Sequence, residues 1–124
     1  MNLPNYFRLA KKASLNSVHI IKLGACILSK NRVISVGFNQ RFKTNPFIRK
    51  FDPHKTIHAE MSAIFRIKNK SLLKGATMVV YREKNEDKSI GMAKPCPVCQ
   101  EIMKHYGFEK MIYTTDFGYM EEMI

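Results

Sequence analysis

The stretch from Gly75 to Asp116 constrains the fold more than any other part of this chain. It opens with the strand-like run "GATMVVYRE" and closes with "EKMIYTTD". Between them lie a charged loop and a helix of about ten residues, Cys96 to Tyr106, with Pro97 in its first turn and Gly107 at its end. A strand, a helix and a second strand in that order require a crossover, so part of the sheet must be parallel. Upstream, "KLGACILS" and "RVISVGFN" read as an antiparallel hairpin about a polar turn at Ser29–Asn31. A helix from Pro4 to Ser17 precedes the hairpin, with Phe7, Ala10 and Leu15 facing inward. Another, "IHAEMSAIFRIKN", follows the Pro46- and Pro53-containing loop 40–56 and turns Met61, Ile64, Phe65 and Lys68 toward one side. The expected fold class is α/β, a three-layer α/β/α arrangement on a mixed sheet of four to five strands, with residues 1–124 as a single domain.

Several function classes are disfavoured by composition. No run approaches transmembrane length, and "MNLPNYFRLAKKA" lacks an apolar signal core, so a soluble cytoplasmic protein with no membrane partner is expected. Three cysteines, an odd number, do not suit a secreted disulfide framework. Charge is divided unevenly. Residues 1–74 carry fifteen Lys and Arg against two acids, whereas residues 75–124 carry six against eight. Such asymmetry fits a face for a polyanion or a nucleotide phosphate, although a lysine-rich surface alone gives the same count.

The pair in "AKPCPVCQEI" carries chemistry. Cys96 and Cys99 stand one turn apart at a helix start, where free N–H groups favour thiolate. That suits either zinc or a redox pair, but redox pairs of this kind follow a first strand near the N-terminus of their fold. Zinc needs further ligands, from His19, His54, His58 or His105. His58 opens a helix of its own, and consecutive helices in an α/β fold begin at the same sheet edge. His58, Cys96 and Cys99 can therefore make a three-ligand zinc site with one open position, the catalytic arrangement. Glu60, two residues from His58, is then free to move protons. The rival is a closed structural site that adds His54 as fourth ligand. Cys26, within a strand, reads as a buried core thiol.

"His58-Ala59-Glu60" followed by "Pro95-Cys96-Pro97-Val98-Cys99" resembles the zinc-dependent nucleoside and nucleobase deaminase superfamily, whose signature is H-x-E…P-C-x-x-C. "GACILSKNRVISVGFN" is similar to the superfamily's opening hairpin, and the likeness spans roughly residues 4–116. Two features depart from compact members. Tyr81 to Pro95 is long and charged, and "DFGYMEEM" looks like a closing antiparallel hairpin, which resembles the cytidine deaminase branch. The resemblance implies Zn²⁺ held by His58, Cys96 and Cys99, and hydrolysis of cytosine to uracil with Glu60 as the catalytic proton carrier. It implies substrate contacts from Asn39, Ala59 and Tyr113, the last as a base-stacking ring. Asn39 as a turn residue and Tyr113 as a core residue are the competing assignments.

Two substrate classes remain, with adenine not excluded by the motif. The loop before His58 interleaves Arg41, Lys43, Arg49, Lys50 and Lys55 with Phe42, Phe47 and Phe51, the mixture that single-strand binding uses. This favours cytosine within single-stranded DNA or RNA. The alternative is a free pyrimidine nucleoside or nucleotide, its pocket completed by a second copy in a homo-oligomer. A third reading is a non-catalytic, zinc-stapled nucleic-acid-binding module.

Overall fold

The computed structural model describes residues 3–17, 21–41 and 56–124. Helix α1 (Phe7–Ser14) precedes strands β1 (Lys22–Ser29) and β2 (Arg32–Phe38). A two-residue ladder pairs β3 (Gln40–Arg41) with β4 (Thr56–Ile57), and β4 leads into α2 (Ala59–Phe65). After a short 3₁₀ turn (Lys70–Leu73) come β5 (Thr77–Glu83), α3 (Pro97–His105), β6 (Lys110–Thr114) and β7 (Tyr119–Met123). The main sheet has five strands in the order β2-β1-β5-β6-β7. Only the pair joined across α3, β5 and β6, is parallel. Among the described residues no helix is long and apolar enough to cross a membrane.

The three central strands β1, β5 and β6 are buried on both faces, and each divides its side chains between two cores by the period of two that a pleat imposes. Ala25, Ile27, Met78, Val80 and Met111 pack with α2 and α3. Cys26, Val79, Tyr81 and Ile112 pack with Phe7 and Ala10 of α1. The β1–β2 hairpin turns through Lys30 and Asn31, both at positive φ (52° and 65°), the two-residue turn whose twist matches antiparallel strands.

Two glycines set how closely the helices approach. A Cβ on Gly24 of β1 would lie 1.8 Å from the carbonyl oxygen of Ala10, and one on Gly37 of β2 would lie 2.4 Å from the amide nitrogen of Ala63. Neither space is available, so α1 rests directly on β1 and α2 on β2.

The long segment after β5 has a structural use. Residues 84–91 double back as a tight hairpin, with Lys84 N–H donating to Ser89 O (2.7 Å) and Gly91 N–H to Arg82 O (3.0 Å). The chain then crosses the end of β6 toward Cys96, with Ala93 N–H donating to Thr114 O (2.9 Å). The buried Thr114 hydroxyl donates to Gly91 O (2.7 Å) and accepts from Arg82 N–H (3.1 Å), tying this strap to β5. Lys94 pairs with Glu122 of β7 at 3.1 Å.

The structure corrects details of the sequence reading. Helix α1 is shorter than Pro4–Ser17, because both ends tighten into turns, such as Phe7 N–H to Pro4 O and Ser17 N–H to Ser14 O. Leu15 falls in the closing turn, off the helical period, and is 58% exposed rather than inward. Helix α2 likewise stops at Phe65. The β3–β4 ladder is too short to leave a periodic pattern.

Substituting Gly24→Ala is expected to destabilise the protein by at least about 2 kcal/mol in urea denaturation, since Ala10 backbone must move. Gly75→Ala, at φ +75° with no atom within 4 Å, should cost only about 1–2 kcal/mol of backbone strain. Thr114→Val keeps the shape but strands the Arg82 N–H and Gly91 carbonyl, and should cost about 1–3 kcal/mol in the same measurement.

Candidate metal centre

His58 and Cys96 occupy the same position in their helices. His58 is the N-cap of α2 (φ −68°, ψ 154°) and Cys96 the N-cap of α3 (φ −68°, ψ 164°). Both are extended residues that hand the chain into a helix, and both helices start at one edge of the sheet. Pro97 fits the first helical position of α3, where its missing N–H is no loss. Cys96 Sγ accepts the Cys99 N–H at 3.4 Å, doing with sulfur what a serine oxygen does in an ordinary cap. Gln100 reaches back from the helix and donates through Nε2 to Pro95 O at 2.7 Å.

The three side chains converge. His58 Nδ1 lies 3.2 Å from Cys99 Sγ and 3.6 Å from Cys96 Sγ, and the three donor atoms all fall within 4.8 Å of one another. Zinc binds sulfur at about 2.3 Å and imidazole nitrogen at about 2.0–2.1 Å, so tetrahedral ligand atoms sit about 3.5–3.8 Å apart. The donor set fits zinc, with His58 and Cys96 at the tetrahedral spacing and Cys99 a few tenths of an ångström closer to His58. Among the described residues this is the one such group of three.

Electrostatics point the same way. Cys96 is held down at about 4, chiefly by the hydrogen bond from Cys99, with His58 and the Cys99 N–H adding to it. Cys99 is pushed up by that same hydrogen bond and by burial, so the pair keeps its proton on Cys99. A divalent cation takes the place of that proton on binding. Glu60 is 4% exposed, in the first turn of α2. Burial pushes its carboxyl up, against the pull of its own backbone N–H and of His58, and it shares a hydrogen bond with Cys99. A carboxyl group so placed can hold or release a proton beside the cluster.

The other sequence candidates fall elsewhere. Ala59 is fully buried at the start of α2, beside His58. Asn39 is buried, and its amide brackets the backbone at the start of β1: Oδ1 accepts from Leu23 N–H (3.0 Å) and Nδ2 donates to Ile21 O (2.5 Å). Tyr113 is a core side chain, 2% exposed, whose hydroxyl donates to Glu122, so it offers no open ring for stacking. Cys26 is buried in the α1 core, its S–H donating to Tyr6 O (3.3 Å), and burial pushes the thiol up to about 12. His105 is exposed against Tyr106. His19, His54, Phe42, Lys43, Phe47, Arg49, Lys50, Phe51 and Lys55 lie outside the described residues, and Arg41 is placed only as backbone of β3. The sequence reading missed Gln100 and Thr114. A glutamine one turn into a helix that follows Pro-Cys-Pro was a usable signal for the first. Nothing local marked Thr114.

The fold has relatives among solved structures. The cytidine deaminase from Burkholderia pseudomallei superposes with a TM-score of 0.69 at 17% identity, covering 98% of this chain and 93% of that one. The dCMP deaminase from the cyanophage S-TIM5, solved in complex with dCMP and dUMP, gives 0.61 at 20% identity, covering 89% and 78%. The cytidine deaminase from Mycobacterium leprae gives 0.58 at 17% identity, covering 95% and 93%. A search of curated protein sequences finds no match. The sequence model of the cytidine and deoxycytidylate deaminase zinc-binding region matches residues 2–115, taking in the whole His58–Cys96–Cys99 cluster and Glu60. Over that span the chain belongs to the zinc-dependent cytidine and deoxycytidylate deaminase family.

Proposed function

We propose that residues 1–124 act as one hydrolytic deaminase unit that converts the cytosine of a free nucleoside or nucleotide to uracil. The observation that carries this reading is the approach of His58, Cys96 and Cys99 to one another beside the buried carboxyl of Glu60. His58 Nδ1 and the two sulfurs would hold zinc. When bound, zinc supplies Lewis acidity that makes a water nucleophilic near neutral pH. The remaining work belongs to the protein. Glu60 takes a proton from the attacking water and passes it to ring N3. It then delivers a second proton to the amino group, which leaves as ammonia, so cytosine and water become uracil and ammonia. Burial suits Glu60 to this shuttle, because it narrows the gap between the carboxyl's acidity and that of its partners. Ala59, between ligand and acid, offers backbone polar groups to the base.

A free substrate is preferred to a polynucleotide on two grounds. The solved relatives are deaminases of cytidine and of dCMP. Tyr113, the expected stacking ring for a polynucleotide base, is in the core.

Ammonia release from cytidine, dCMP and a cytosine-containing oligonucleotide tests the reading. Turnover of cytidine or dCMP is expected, with the oligonucleotide slower. Glu60→Ala should keep its zinc and its fold yet lose about 10²–10⁴-fold in turnover, the usual contribution of a positioned acid–base group. Turnover of the oligonucleotide alone would transfer the assignment to polynucleotides. Full activity in Glu60→Ala would remove its role.

A further inference from the structure

A cleft of about 540 Å³ opens on the α1 side of the sheet, the face opposite α2 and α3, between α1 and the hairpin at 84–91. Phe7 and Tyr81, both buried, lie beneath it, and the half-buried Leu3, Pro4 and Ile90 supply its apolar wall. Its rim is cationic, with Arg8 and Lys11 from α1 and Lys88 from the hairpin. No acidic side chain lines it.

Three of the nearby acids are held by other groups. Asp87 Oδ1 accepts from both the backbone N–H (3.0 Å) and the hydroxyl (2.6 Å) of Ser89. Glu83 accepts the Tyr81 hydroxyl at 3.1 Å, and Asp116 pairs with Lys84 at 3.2 Å. Among the described residues none of Arg8, Lys11 and Lys88 takes part in an ion pair. Arg8 and Lys11 are also one turn apart on the same helix face, a spacing at which like charges repel. Lys88 stands at φ +62°, a backbone conformation lysine rarely adopts, with its N–H fixed to Lys84 O at 2.9 Å. Three cations are thus brought round one cleft with no acidic side chain in its lining and, among the described residues, no ion pair of their own.

We propose that this cleft binds a small organic phosphate, its phosphate among Arg8, Lys11 and Lys88 and its organic body against the half-buried Leu3, Pro4 and Ile90. Arginine matches phosphate oxygens through its planar fork, and the lysines add point charges. The volume lies within the range of about 300–1,000 Å³ usual for small-molecule sites and admits a mononucleotide. A phosphodiester backbone carries similar charge, but it would leave the apolar wall of Leu3, Pro4 and Ile90 without a purpose.

The test is an NMR titration of the zinc-loaded protein with GMP, whose base is not a cytosine and so is no substrate for the metal centre. GMP should shift the amides of Phe7, Arg8, Lys88 and Ile90. Guanosine and inorganic phosphate should each bind at least about tenfold more weakly, each lacking half of the ligand. The double substitution Arg8→Gln with Lys88→Gln should also weaken GMP at least about tenfold while leaving deamination and thermal stability unchanged. Shifts confined to residues around His58 and Cys96, no shift at about 5 mM, or wild-type affinity in the double variant would each overturn the proposal. A cytosine-free oligonucleotide that displaces GMP from these residues at lower concentration would reassign the cleft to polynucleotides.

Discussion

Two helix starts facing each other at one sheet edge are the arrangement on which everything else in this molecule depends. Helix α2 has seven residues, too few to hold together in water. Its position comes from packing: Ala59, Ala63 and Ile64 are fully buried against the sheet, and Gly37 lets its backbone come within contact of β2. That contact delivers His58 and Glu60 to the sheet edge. Cys96 and Cys99 reach the same place by another route, along a strap fixed by Thr114, Ala93 and the Lys94–Glu122 pair. Neither route alone makes a site.

Much of this was legible in the sequence where chemistry and period coincide. Pro-Cys-Pro-Val-Cys announces a helix start, because proline at the first position and a sulfur cap need each other's geometry. The strands from Lys22 and from Thr77 were legible because long apolar runs bounded by polar turns leave few alternatives. The closing strand Tyr119–Met123 also falls where a turn at Phe117–Gly118 suggests. What was not legible depends on long-range partners. Tyr113 and Glu122 are neighbours only because β7 returns beside β6, and that pairing decides that the tyrosine is core. Asn39 reads equally as a turn residue or a ligand contact, because nothing local shows that its amide will meet Leu23 N–H and Ile21 O at the start of β1. The charged segment after β5 reads as loop, yet it is the hairpin and strap that aim Cys96.

The charge division has a structural side. Three acids of the C-terminal part pair with lysines of the same part: Asp116 with Lys84, Glu122 with Lys94 and Glu121 with Lys110. Exposed pairs of this kind contribute at most about 1 kcal/mol each, so their value lies in fixing the strap and the edge strand rather than in stability. None of these three pairs reaches a cation of α1.

The central claim is that three side chains hold zinc and that the fourth position stays open for chemistry. Metal analysis of purified His58→Ala, Cys96→Ala, Cys99→Ala and His54→Ala tests it most directly. The account predicts that the first three each retain less than about a tenth of the wild-type zinc, while His54→Ala retains it in full. Loss of zinc from His54→Ala to the same degree would contradict it, because the site would then be a closed, four-ligand structural clip.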